Sequence, residues 1–64
     1  MGLTEVQKCL ITGLKIFGVE KDAIVGIMLA LPKEEQQIEM LEWMRSNMGA
    51  STSDILGKTA ELAK

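Results

Sequence analysis

The sequence predicts an all-α fold, a compact orthogonal or irregular bundle of four short helices, and three observations carry that prediction. The apolar set is aliphatic and methionine-rich, with Phe17 and Trp43 the only aromatic residues, whereas small sheet domains draw on more aromatic and β-branched side chains. Apolar residues recur at threes and fours, the period of one helix face. Gly18, Pro32 and Gly49 divide the chain into pieces of helix length.

The first segment, about residues 4–17, places Leu3, Val6, Leu10, Gly13, Leu14 and Phe17 on one face. Thr4, Glu5, Lys8, Thr12 and Lys15 fall mostly on the other side, and Gly18 is suited to a left-handed C-terminal cap. The second, about 21–31, starts beside Glu20 and Asp22, which favour the positive end of a helix. Its apolar residues Ile24, Val25, Ile27, Met28, Leu29 and Leu31 surround the helix axis. Such a helix needs cover on all sides, so the sequence places it centrally, with a close crossing of the first helix at Gly13 and Gly26. A buried strand fits the same short run, but it would have no strand to pair with.

Pro32 closes the second helix, because the residue before proline avoids helical geometry. The third helix, about 33–48, carries Glu34 and Glu35 in its first turn and Arg45 near its end. Ile38, Leu41, Met44 and Met48 form its expected core stripe, with Met40 and Trp43 beside it. Gly49 is its expected cap. Ser51 and Asp54, or alternatively Thr52, start the fourth helix, about 53–62. Ile55, Leu56, Thr59, Leu62 and Ala63 are its expected inward face, and Gly57 makes it the weakest of the four. Glu42–Arg45 and Asp54–Lys58 have the spacing of intrahelical ion pairs.

A chain of 64 residues supports one domain, spanning 1–64, with a thin core. Cys9 is the only cysteine and there is no histidine, so neither an internal disulfide nor a structural zinc site is available to reinforce it. Helix packing or a partner has to supply the stability. The longest apolar run, Ala23 to Leu31, falls far short of the roughly 20 residues of a membrane span. The first residues lack the features of a secretory signal. With a lone cysteine, this leans to the cytoplasm.

Catalytic chemistry finds few candidates. Glu35, Glu39 and Glu42 share a helix face, but a two-metal carboxylate centre also needs histidines at defined spacing. They read as a solvated acidic face. Cys9 has no base placed to activate it and reads as a small hydrophobe at the edge of the first stripe. The glycines form no phosphate-binding loop. The sequence therefore implies no enzyme, no cofactor, no metal and no small-molecule substrate.

Two function classes remain. A helix-turn-helix DNA-binding regulator has the right helix lengths. However, the net charge is −2, and four carboxylates occupy the third helix, so nucleic acid is the lesser alternative. The favoured expectation is a small protein–protein interaction module whose partner is a second copy of itself, in the simplest case a symmetric homodimer. Its expected interface residues are Ile16, Met28, Leu29, Met40 and Trp43. They represent apolar surface that one thin core does not absorb, and Trp and Met are common anchors in interfaces.

Overall fold

Each helix begins and ends for a local chemical reason. In a computed structural model describing residues 2–64, the chain forms α1 (Glu5–Ile16), α2 (Lys21–Ala30), α3 (Glu34–Ser46) and α4 (Thr52–Leu62). Among the described residues there is no strand, and no helix is long and apolar enough to cross a membrane. Thr4 caps α1 reciprocally. Its Oγ1 accepts the Gln7 amide at 3.1 Å, while Gln7 Oε1 accepts the Thr4 amide at 2.8 Å. At the other end Gly18 has φ 84°. Its N–H donates to the Lys15 carbonyl and the Val19 N–H to the Leu14 carbonyl, both at 3.0 Å. This is the Schellman closure, and its apolar pair, Leu14 and Val19, is buried in the core.

The cap of α2 is weaker, since Glu20 makes no side-chain hydrogen bond there. Leu31 ends the helix at φ −119°, ψ 67°, consistent with the following proline. Pro32 lies outside α3, which starts two residues later. Gln36 Oε1 accepts the Lys33 N–H at 3.1 Å, half of a capping box. The expected end of α3 at Met48 is two residues too long. Asn47 caps the helix instead of Gly49, donating its side-chain amide to the Trp43 carbonyl at 2.7 Å. Ser51 and Asp54 form the reciprocal cap of α4 that their spacing predicts.

The core consists of Leu10, Leu14, Val19, Ile24, Ile27, Leu31, Met40, Met44 and Ile55. Around it α1 packs on α2 and α3, and α4 packs on the same two helices. Thus α1 and α4 are diagonal neighbours, and so are α2 and α3. This corrects the central placement of α2, which is one corner of four and is covered on the side facing α1 and α4. The close approach at Gly13 is to α3. A Cβ there would lie 3.0 Å from Met44 Cε. Gly26 faces open space.

The register of α3 also departs from the expected stripe. Gln37, Met40 and Met44 point inward, and Ile38 and Met48 are exposed. Gln37 explains the rotation. Its Nε2 donates to the Leu31 carbonyl at 2.8 Å, satisfying the end of α2 from inside the core. A polar side chain with its hydrogen bond made can be buried, and a count of apolar residues does not register that. Neighbouring Gln36 Nε2 donates to the Leu62 carbonyl at 3.0 Å, tying α3 to the end of α4. In α4, Leu56 and Ala63 are exposed rather than inward, while Thr59 is buried and donates to the Ile55 carbonyl at 2.8 Å. Among the described residues the ion pairs are Glu5–Lys8 and Lys58–Glu61, in place of the two expected from spacing. Asp54 is committed to its cap.

These local arrangements set opposite signs for two glycine substitutions. Gly18→Ala places a side chain at positive φ and should cost about 1 kcal/mol. Gly57→Ala, mid-helix with nothing near its Cβ position, should add about 0.5–1 kcal/mol. Urea unfolding midpoints measure both. Equal shifts in the same direction would contradict the caps described above.

Candidate interaction surface

Two apolar faces are left uncovered, at different corners of the bundle. The first is a groove between α1 and α3. Gly13 has no side chain to fill the space there, so the Met44 thioether and Leu41 come close to the α1 backbone and form the floor. Ile16 and Phe17 continue the α1 wall at helical spacing, with Arg45 and Met48 on the opposite side. Ile16 is 73% exposed and Met48 67%. The opening amounts to about 190 Å³. A cavity near 150 Å³ admits a benzene-sized group, so the groove has room for one large aliphatic side chain.

The second is the outer face of α2. Asp22, Val25, Gly26 and Leu29 follow i, i+3, i+4, i+7 spacing, and all are exposed. Leu29 is 77% exposed and Val25 52%. Nothing from α1 or α4 reaches the Cβ position of Gly26. This is the all-round hydrophobicity of α2 that the small bundle does not cover.

The residues expected at an interface divide accordingly. Ile16 and Leu29 lie on these open faces. Met28 is half-buried against the core. Met40 is fully buried and is therefore a core residue of the monomer. The rotation of α3 around Gln37 carries it inward. Trp43 is half-buried and packs against the core. It also forms one side of a wide depression of about 580 Å³, with Asn47, Asp54, Lys58 and Glu61. That depression is polar, crossed by the 3.3 Å Lys58–Glu61 pair. Val25 and Met48 are not among the expected interface residues. Val25 was discoverable from its i,i+4 relation to Leu29. Met48 was discoverable from the Asn47–Gly49 surroundings that end the helix before it.

Cys9 is exposed rather than tucked into the stripe. Among the described residues no group of three or more His, Cys, Asp or Glu side chains is placed to hold a metal ion. Lys15 and Lys21 meet at a second groove between α1 and α2, but its floor is Ile11, Val19, Ile24 and Val25. The exposed surface of α3 carries Glu34, Glu35, Glu39 and Glu42.

The placement of Trp43 predicts how its loss will read out. Trp43→Ala should lower stability by about 2 kcal/mol, less than the 3–5 kcal/mol of a fully buried aromatic, and leave the sedimentation behaviour of the folded chain unchanged. Chemical denaturation combined with sedimentation measures both. A change in association without a loss of stability would make Trp43 an interface residue after all. No known protein family, curated protein or solved structure matches the chain.

Proposed function

We propose that this chain is a small helical protein–protein interaction module that associates with a second copy of itself and acts through contact rather than catalysis. One observation carries the reading. Among the described residues, the four most exposed large apolar side chains are Leu29, Ile16, Met48 and Val25. They lie on two defined faces, Ile16 and Met48 lining the α1–α3 groove and Val25 and Leu29 on the outer side of α2. Single exposed hydrophobics are ordinary on a small protein. Grouped ones at helical spacing mark surfaces that meet another molecule.

The four exposed carboxylates of α3 weigh against nucleic acid as the partner. The exposed, unpaired Cys9 suits a reducing compartment such as the cytoplasm.

Sedimentation equilibrium from micromolar to millimolar concentration tests the reading. The apparent mass should rise with concentration. Ile16→Glu, which puts a charge in the groove wall without touching the core, should return it to the 7.0 kDa of one chain. A single 7.0 kDa species for the unaltered chain across that range would sink the proposal.

A further inference from the structure

The geometry points to a specific occupant for the α1–α3 groove: the outer face of α2 from a second copy, seated with Leu29 between Ile16 and Met48 and Asp22 paired with Arg45. This rests on the self-association proposed above and identifies how it is built.

The two faces match in shape, in polarity and in charge. The groove is apolar apart from one cation, Arg45, at its edge. The outer face of α2 carries Asp22 a full two turns from Leu29 on the same side, while Lys21 stands on the other flank, beside Val25 at the rim of the α1–α2 groove. Neither Asp22 nor Arg45 has an ion-pair partner within the chain among the described residues. The spacing Asp22, Val25, Leu29 is that of a helix laid into a groove with anchors at i, i+3 and i+7. Room for one large aliphatic side chain matches the single most exposed one, Leu29. The contact covers all four of the most exposed large apolar residues at once.

The two faces belong to different corners of the bundle, so the contact is head-to-tail rather than symmetric. Each copy keeps a free groove at one end and a free α2 at the other, and association continues beyond two chains or closes into a ring. A standard interface removes about 800 Å² from each partner, roughly a fifth of the 4377 Å² this chain exposes. One helix in one groove covers less, which makes the association weak and concentration-dependent.

Complementation of two variants tests the arrangement. Ile16→Glu blocks the groove and leaves α2 intact. Leu29→Glu blocks α2 and leaves the groove intact. Each alone should sediment as one chain, with helicity retained by circular dichroism. Mixed, they should form a species of two chains and nothing larger, because one groove and one α2 remain to meet. In a second arm, Asp22→Arg and Arg45→Asp should each weaken self-association by about fivefold or more. The double variant Asp22→Arg/Arg45→Asp should recover to within about threefold of the unaltered chain.

If Leu29→Glu associates like the unaltered chain while Ile16→Glu does not, the groove takes something other than α2, and this inference falls while self-association stands. Failure of the mixture to form a two-chain species, or of the double variant to recover, overturns it equally. An unaltered chain that never exceeds one copy overturns both proposals.

Discussion

Everything in this fold follows from how little can be buried. Nine apolar side chains serve as the common core of four helices, so each helix commits only a few residues inward. The remaining apolar residues pack only partly against that core or stay on the surface. That scarcity explains why the helix ends are so carefully tied. Reciprocal caps at Thr4–Gln7 and Ser51–Asp54, the Schellman closure at Gly18 and the two glutamine amides of α3 satisfy backbone groups that a thin core cannot shield. Each such bond contributes about 1 kcal/mol, which is a large fraction of the margin available to a domain of this size.

The four helices were legible because their signals are local. Helical spacing, Pro32 and Gly18 act within a few residues of themselves, and the Ser51–Asp54 cap formed as its spacing implied. What was not legible depends on distant partners. The inward face of α3 turns on a hydrogen bond from Gln37 to Leu31, which places an amide in the core and Ile38 on the surface. The same rotation buries Met40, so an expected interface residue became a core residue. The position of α2 at a corner, instead of the centre, follows from which helices pair, and periodicity within one helix carries no such information. For the surface, Ile16 and Leu29 could be read as surplus because each lies off its helix's inward stripe. Val25 and Met48 carried weaker local signals, Val25 in its i,i+4 spacing from Leu29 and Met48 in its place between Asn47 and Gly49.

The surface reflects the same economy as the core. A helix that is apolar on all sides is a poor choice for the corner of a monomer, yet α2 occupies one. Its inner side, Ile24 and Ile27, with Leu31 at its C-terminal cap, holds the bundle together. Its outer side adds nothing to the isolated fold. Gly13 shows the complementary pattern on α1, where a missing side chain opens a groove whose floor is a flexible methionine. Methionine adapts to irregular neighbours, so the shape of this groove is forgiving, and the single cation beside it has to supply the selectivity.

The paired amides of Gln36 and Gln37 have an electrostatic consequence. They draw the carbonyl ends of α2 and α4 to the opening turn of α3. Two partially negative helix termini therefore converge on one partially positive terminus, with Glu34 and Glu35 beside it. The helix dipoles partly offset one another at this pole of the molecule, and the exposed carboxylates of Glu34 and Glu35 leave it negative.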